Sequence, residues 1–176
     1  MAAPTRATFA AGCYWGTEHF FLRHFKSAIV THKVGFMGGR EEETMSYDEV
    51  KKGTTGHAEV FDFTYDPSKT SYADLLAFFF RMHNSTTPNR QEGDIGTNYR
   101  SAIFYHTDEQ KQEAEDYIAK LNGADEKLHS AFARAFGGAA CITSVEKAGR
   151  FYPAHEAHQD YLEKNPNGYC AHRIYF

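Results

Sequence analysis

Hydrophobic and polar residues alternate along the first third of the chain in blocks that predict strands and one helix. A run of small and β-favouring residues at 7–10 precedes Gly12, and aromatic residues then recur at helical spacing, which is typical of strand, turn and helix. Residues 28–37 and 58–65 favour two further strands with a polar loop between them. The first 65 residues therefore predict three strands and one helix.

The same alternation continues to the C-terminus. Ser71 is suited to the N-cap of a helix whose apolar stripe extends to His83, and the polar stretch 84–99 is long enough to predict a functional loop. Residues 165–176 contain Pro166 and Gly168 and predict an irregular tail. The remaining elements are a strand at 100–106, a charged helix at 108–121, a strand at 140–146 and a last helix at 155–164. This order predicts an α+β fold in two layers, with helices on a mixed sheet.

Length and charge narrow the class of protein. A chain of 176 residues with 41% hydrophobic content suits one compact unit, so we expect a single catalytic domain over residues 1–176. The net charge of -4 and the lack of any Lys/Arg block argue against nucleic acid as a partner. No stretch approaches the ~18 apolar residues of a membrane span, and residues 1–9 lack the apolar core of a secretory signal. We therefore expect a cytoplasmic protein without a membrane partner.

The cysteines and histidines point to thiol chemistry rather than to a metal. Cys13, Cys141 and Cys170 are too few and too dispersed for a disulfide framework, so free or transient thiols fit better. His155 and His158 have the spacing of two ligands on one helix face, but HEAHQ is not HExxH and no third ligand is indicated. We expect neither a metal site nor a cofactor.

Cys13 stands at the predicted junction of a strand and a helix. At such a junction the helix dipole and free backbone N–H groups stabilise a thiolate. The bracketing glycines, Gly12 and Gly16, allow tight turns, and Tyr14 with Trp15 would form an apolar wall beside the sulfur. Taken alone, a single cysteine in such a setting favours a buried structural residue in an aromatic core, because buried structural cysteines are common.

The motif around Cys13 resembles a family signature. GCYWGTEHFF at 12–21 is similar to the GCFWG motif of the A-type peptide-methionine sulfoxide reductases. Several independent strings in one order are far more specific than a single motif, and the resemblance extends over about residues 7–170. The further matching blocks are GFMGG at 35–39, SYDEV at 46–50, TGHAEV at 55–60, NRQEGDIGTNYRS at 89–101, FYPA at 151–154, HQ at 158–159 and KNPNGYC at 164–170.

The resemblance implies a ferredoxin-like core and the reduction of methionine S-sulfoxide, free or in proteins. It implies that Cys13 attacks the sulfoxide sulfur while Glu59 donates a proton to the oxygen, and an apolar pocket would raise the pKa of that carboxyl. Tyr47 and Tyr99 would donate hydrogen bonds to the oxygen, and Asp94 would help to position the substrate. Further substrate contacts are expected from Gly12, Tyr14, Trp15 and His57.

A redox cycle between two cysteines is also implied. Attack leaves Cys13 as a sulfenic acid and releases methionine. Cys170, in the glycine-bearing tail, matches the family's resolving cysteine, and the resulting disulfide would be reduced by thioredoxin. Cys141 lies in a predicted apolar strand and is expected to be an inert core thiol. We expect the enzyme to act as a monomer.

Two other functions are compatible with the residues alone. A cysteine hydrolase or acyltransferase would use His57 or His158 to deprotonate Cys13. A non-catalytic binder of oxidised methionine would need the aromatic pocket only, and the presence of an acid and a second cysteine argues against it. Tyr14 stands where the family has Phe, which adds a hydroxyl that needs a partner if it is buried.

Overall fold

A mixed β-sheet with helices packed against it is the framework of the molecule, as the α+β prediction anticipated. The computed structural model describes residues 3–41, 49 and 55–176. The strands are β1 (Thr5–Ala11), β2 (Ile29–Met37), β3 (Ala58–Tyr65), β4 (Arg90–Gln91), β5 (Asp94–Ile95), β6 (Ser101–Tyr105), β7 (Ser144–Lys147) and β8 (Tyr152–Pro153). The α-helices are α1 (Tyr14–His24), α2 (Tyr72–Arg81), α3 (Asp108–Ala119), α4 (Glu126–Phe136) and α5 (Tyr161–Lys164).

Six strands form the main sheet in the order β7-β6-β1-β3-β2-β8, and β4 pairs with β5 in a separate hairpin. Strand β1 lies antiparallel between β3 and β6, β2 is antiparallel to β3, and β7 is parallel to β6. The four central strands with α1 and α2 follow the chain order βαββαβ, which is the ferredoxin-like arrangement. The ferredoxin-like core implied by the family resemblance is thus confirmed.

Aromatic side chains fix α1 and α2 onto one face of the sheet. Phe9 of β1 lies with its ring centroid 5.6 Å from that of Phe21 in α1 and 5.0 Å from that of Phe79 in α2, and all three residues are fully buried. Burial of each such side chain contributes about 1.5–3 kcal/mol relative to exposure. The predicted cap of α2 is confirmed, because Ser71 Oγ accepts a hydrogen bond from Asp74 N–H at 3.1 Å. This rigid core fixes the position at which β1 passes into α1.

The predicted helix at 155–164 is wrong as a continuous helix. It is divided into a short 3₁₀ turn at Glu156–His158 and α5, with Asp160 at φ 52° between them. Gln159 is buried there, accepts a hydrogen bond from Val34 N–H at 2.8 Å and donates one to Val34 C=O at 2.9 Å. The side chain of Gln159 therefore pairs with the backbone of β2 in the way that a neighbouring strand would.

The predicted strand at 140–146 begins later than expected, at Ser144. The backbone of Cys141 pairs instead with the side chain of Asn122. The Oδ1 atom of Asn122 accepts a hydrogen bond from Cys141 N–H at 2.8 Å, and its Nδ2 atom donates one to Cys141 C=O at 3.2 Å. Helix α4, the β4–β5 hairpin and β8 were not predicted. Within the described ranges, no helix has both the length and the apolar character needed to cross a membrane.

The C-terminal tail lacks regular secondary structure, as predicted, but it is held at defined points. The buried ring of His172 donates from Nε2 to Ala11 C=O at 2.5 Å. Further along, Tyr175 N–H donates to Arg81 C=O at 2.8 Å. The tail therefore lies against the start of α1 and the end of α2, with exposed Cys170 two residues before the buried His172.

Candidate active site

Cys13 lies where β1 ends and α1 begins, as the sequence predicted. Gly12 makes the turn with φ 87°, and a Cβ atom there would lie 2.6 Å from Gln91 Cβ, so both its conformation and its space require glycine. Cys13 is the N-cap of α1 and is 8% exposed. The turn thereby places the sulfur at the positive end of a helix but inside the protein.

Burial outweighs the helix in setting the acidity of this thiol. Desolvation, followed by the negative charge of Glu59, raises the pKa of Cys13 to about 12, although the backbone N–H groups of Trp15 and Gly16 lower it. The backbone N–H groups at the start of α1 thus act in the predicted direction, but burial outweighs them. At neutral pH Cys13 is therefore a neutral thiol.

Glu59, near the start of β3, is the carboxyl group beside Cys13. It is 8% exposed, and its Oε1 accepts a hydrogen bond from Tyr14 N–H in the first turn of α1 at 3.1 Å. Desolvation raises the pKa of Glu59 to about 8, with a further contribution from Asp94, while hydrogen bonds from Tyr14 and Asn98 oppose the shift. The raised pKa that we predicted for this residue is confirmed, and the carboxyl is protonated at neutral pH.

A cavity of about 340 Å³ brings most of the predicted site residues together. Four of its lining residues were not predicted as site residues, although each lies in or beside a sequence block that matches the family. The lining comprises Cys13, Tyr14, Trp15, Phe36, Glu59, Asp94, Asn98, Tyr99, His158 and Tyr169, of which Phe36, Asn98, His158 and Tyr169 were not assigned to substrate. The signal for Asn98 and Tyr169 was their position next to Tyr99 and Cys170.

Aromatic rings form the apolar side of the cavity. Trp15 stacks on Tyr161 with ring centroids 3.7 Å apart, and its Nε1 donates a hydrogen bond to His158 Nδ1 at 3.2 Å. The ring of Tyr14 packs edge-on against Phe36 at 5.7 Å. These contacts fix the orientation of both aromatic residues that follow Cys13, so the wall is preformed.

Hydroxyl and carboxyl groups form the opposite, polar side. Burial, followed by the charge of Glu59, raises the pKa of Tyr99 to about 12, so its hydroxyl remains a neutral hydrogen-bond donor. Burial also raises the pKa of Asp94, whose Oδ2 accepts a hydrogen bond from Tyr169 O–H at 3.3 Å. The cavity thus combines an apolar wall with a neutral acid and a phenol beside one thiol, an arrangement suited to a polar S=O group carrying alkyl substituents.

Comparison with known proteins agrees with this chemistry. The family model of the peptide methionine sulfoxide reductases matches residues 5–175. The chain belongs to the peptide methionine sulfoxide reductase family. A relative from Methanothermobacter thermautotrophicus, peptide methionine sulfoxide reductase MsrA, is 43% identical over 94% of this chain and 90% of its own length. Reduced Mxr1 from Saccharomyces cerevisiae has a TM-score of 0.82 and 36% identity, covering 98% of this chain and 93% of that one.

A second solved structure bears on the partner. Mxr1 in complex with Trx2 has a TM-score of 0.60 and 25% identity to this chain, covering 98% of it and 91% of that protein. The family match and the similarity to MsrA show that this chain is an oxidoreductase that reduces methionine sulfoxide. Neither the hydrolase nor the non-catalytic binder considered above describes its activity.

Some predicted site residues of this peptide methionine sulfoxide reductase lie elsewhere. His57 is buried outside the cavity lining, with Nδ1 accepting from Gly39 N–H at 3.0 Å and Nε2 donating to Arg40 C=O at 2.9 Å. With both ring nitrogens bonded to the loop after β2, His57 braces that loop. Gly12 adjoins the cavity without lining it, and Tyr47 lies outside the described residues.

The other two cysteines of the reductase differ in their surroundings. Cys170 is exposed and adjoins the cavity only through its neighbour Tyr169. Cys141 is buried, and its Sγ donates to Thr143 Oγ1 at 3.5 Å, which agrees with the expected inert core thiol. Cys13, Cys141 and Cys170 are free thiols in the structure.

Proposed function

We propose that this protein reduces the S epimer of methionine sulfoxide with Cys13 as nucleophile and Glu59 as general acid. The observation that carries the proposal is the placement of both groups in one buried cavity, with Glu59 held by Tyr14 N–H and its pKa raised to about 8. A carboxyl that is neutral near pH 7 can protonate the sulfoxide oxygen, which is otherwise a poor leaving group.

The proposed orientation of the substrate follows from the two sides of the cavity. The methyl and methylene groups beside the sulfoxide sulfur lie against Trp15, Tyr14 and Phe36, because these rings offer apolar surface. The oxygen then points towards the Glu59 carboxyl and the Tyr99 hydroxyl, which are the neutral donors on the other side. Tyr47 is proposed as a second phenolic donor on the family resemblance.

The chemical step is a two-electron exchange between two sulfur atoms. The Cys13 sulfur attacks the sulfoxide sulfur while Glu59 protonates the oxygen, and the thiol proton replaces the one that Glu59 gives up. Attack forms an S–S bond between Cys13 and the substrate sulfur, and the S–O bond breaks as the protonated oxygen leaves as water. Water then adds to the Cys13 sulfur, which forms the new S–O bond and breaks the S–S bond to methionine. Methionine is released as the thioether and Cys13 becomes a sulfenic acid, so the methionine sulfur is reduced and the cysteine sulfur is oxidised.

Cys170 is proposed as the resolving thiol. Its attack on the Cys13 sulfenic acid releases water and forms a disulfide, which a thioredoxin dithiol then reduces by exchange. The hydrogen bond between Tyr169 and Asp94 supports this role, because it ties the residue before Cys170 to the rim of the cavity. The relative solved with Trx2 supports thioredoxin as the reductant.

The remaining parts of the proposal concern the setting of the reaction. A cycle that ends in thioredoxin suits the reducing cytoplasm, where it would repair oxidised methionine, free or in proteins. We propose a monomer in which residues 1–176 form a single catalytic domain, with the tail at 165–176 carrying the resolving cysteine. The S epimer follows from the family resemblance, since the two epimers require different enzymes.

An epimer-resolved, single-turnover assay tests the function. Fully reduced protein is mixed with an excess of each methionine sulfoxide epimer without external reductant, and released methionine is counted. We expect one equivalent from the S epimer, none from the R epimer, and none from Cys13→Ser with either. Release from the R epimer alone would overturn the epimer assignment, and release by Cys13→Ser would overturn the role of Cys13.

A further inference from the structure

We propose a second site, separate from the catalytic cavity, at which Glu18 of α1, His32 of β2 and Asp160 before α5 bind a divalent cation of the Zn²⁺ type. One ligand atom from each of these residues lies within 4.8 Å of the other two. Carboxylate oxygens and an imidazole nitrogen are the donors that such a cation takes in proteins. The three residues line no part of the Cys13 cavity.

The distances between the donor atoms suit a shared ion. His32 Nε2 lies 2.9 Å from Asp160 Oδ1 and 4.0 Å from Glu18 Oε2. With zinc bonds of about 2.0–2.2 Å in a tetrahedron, neighbouring ligand atoms are roughly 3.4 Å apart. The two observed distances bracket that value, and the ligand atoms of the third pair, Glu18 and Asp160, lie within 4.8 Å of each other. His32 and Asp160 are 28% and 43% exposed, which leaves room for a water ligand.

The strongest sign of a ligand is the buried carboxyl of Glu18. Its side chain is 2% exposed, and Oε2 has no hydrogen-bond partner among the residues that the structure describes. The backbone N–H groups of Asp160 and Tyr161 lower the pKa of this carboxyl, which shows that the start of α5 faces it. A buried polar atom without a partner is costly, and a cation at the position between Oε2, His32 and Asp160 would remove that cost.

The simplest alternative needs no cation. In that arrangement His32 Nε2 donates a hydrogen bond to Asp160 Oδ1 at 2.9 Å, and Glu18 carries a proton of its own. Desolvation, followed by the charge of Asp160, raises the pKa of Glu18 to about 8, so the neutral form is accessible. The two arrangements differ in whether the added metal occupies the site, which makes them separable by experiment.

Binding would connect three elements that meet beside the active site. Glu18 follows Cys13 by little more than one helical turn, and Asp160 precedes Tyr161, the residue stacked on Trp15. A cation bound to both residues would therefore restrain the stacked pair of Trp15 and Tyr161, and Trp15 is part of the apolar wall of the cavity. The structural effect is a stabilisation of the folded protein that depends on metal, independent of turnover.

Zinc titration of the 176-residue chain tests the proposal. Isothermal titration calorimetry is performed with Cys13→Ser/Cys170→Ser protein, because thiolates also bind zinc. We expect one equivalent of Zn²⁺ and a Tm that rises on zinc addition. His32→Gln and Asp160→Asn should each weaken binding at least about tenfold and remove the rise in Tm. Glu18→Gln should have the same two effects. If Glu18→Gln fails to fold, the results for His32→Gln and Asp160→Asn, which are more exposed positions, decide the test.

A neighbouring exposed pair provides the matched control. His19 Nδ1 lies 3.2 Å from Glu163 Oε1 on the same side of α1, so His19→Gln removes an imidazole–carboxylate pair without touching the proposed ligands. Its zinc affinity should equal that of the parent. Absence of stoichiometric binding, binding unchanged in His32→Gln and Asp160→Asn, or an equal loss in His19→Gln would each overturn the site. None of these outcomes bears on sulfoxide reduction.

Discussion

The central interaction of the site is between the Glu59 carboxyl and the Cys13 thiol. A negative charge on either group disfavours a negative charge on the other. Because Glu59 raises the pKa of Cys13, and both groups are buried, the pair is neutral near pH 7. In the proposed reaction one of the two neutral groups, Glu59, delivers its proton to the sulfoxide oxygen. The acidity of Glu59 should therefore set the upper pH limit of the chemical step.

A pH profile of the single-turnover rate tests this limit. The acid form of Glu59 predominates below its pKa of about 8, so the rate should fall as pH rises through that value. Glu59→Gln should be slower by roughly a hundredfold at neutral pH, because acid catalysis contributes about that factor, and its rate should lack the fall near pH 8. An undiminished rate in Glu59→Gln, or a fall that persists in it, would assign the acid to another group.

Alkylation of Cys13 measures the same coupling without substrate. At a fixed pH above 8, Glu59→Gln removes a negative charge beside the thiol, which lowers the pKa of Cys13 and should speed its reaction with iodoacetamide. Asp94→Asn should produce a smaller increase, because Asp94 raises that pKa less than Glu59 does. Mass spectrometry reads both rates, with exposed Cys170 as the internal reference. Equal rates in the wild type and Glu59→Gln would contradict the coupling.

At the scale of elements, local sequence signals were sufficient where local chemistry decides the structure. Strand β3 has the predicted bounds, and Ser71 caps α2 as expected. The predicted helix at 155–164 failed because Gln159 pairs with the backbone of Val34, a contact that no local pattern reveals. The candidate site shows the same difference between residues that local sequence predicts and residues that tertiary contacts bring in.

For the site, the matched motifs led to Cys13 and Glu59, the proposed nucleophile and acid, but not to every group around them. Cys13 and Glu59 meet because β1 and β3 are neighbours in the sheet. Phe36 and His158 join the cavity through β2 and the segment before α5, and their contribution depends on tertiary contacts. The electrostatic balance at Cys13 was also beyond sequence reasoning, since burial is a property of the fold.

The C-terminal tail also packs against the start of α1. Gly16 has no need of a left-handed conformation, yet a Cβ atom there would lie 2.0 Å from Nδ1 of the buried His172 ring. Gly16→Ala should therefore displace the tail, seen as faster hydrogen exchange in residues 169–176. Gly93→Ala is the control, because its added Cβ meets nothing within 4 Å. Unchanged protection of the tail in Gly16→Ala would show that His172 adapts without leaving its site.

At the scale of the whole molecule, the proposed catalytic cycle has two parts, one at the cavity and one in the C-terminal tail. The cavity groups proposed for the sulfur chemistry lie on β3, on the first turn of α1 and around the β4–β5 hairpin. The tail has no regular secondary structure and carries exposed Cys170 between Tyr169, bonded to Asp94, and the buried His172. Movement of the short segment between these anchors is the least disruptive way to bring Cys170 to Cys13.

Substitution of the two remaining cysteines separates the halves of the cycle. Cys170→Ser should release one equivalent of methionine at the wild-type rate and then stop, because thioredoxin needs the disulfide as its substrate. Cys141→Ser, a buried site remote from the cavity lining, should continue to cycle. Methionine release is followed with thioredoxin, its reductase and NADPH present. Steady cycling by Cys170→Ser that disappears in Cys141→Ser/Cys170→Ser would show that Cys141 resolves the sulfenic acid, and cycling that persists in the double variant would show direct reduction of Cys13.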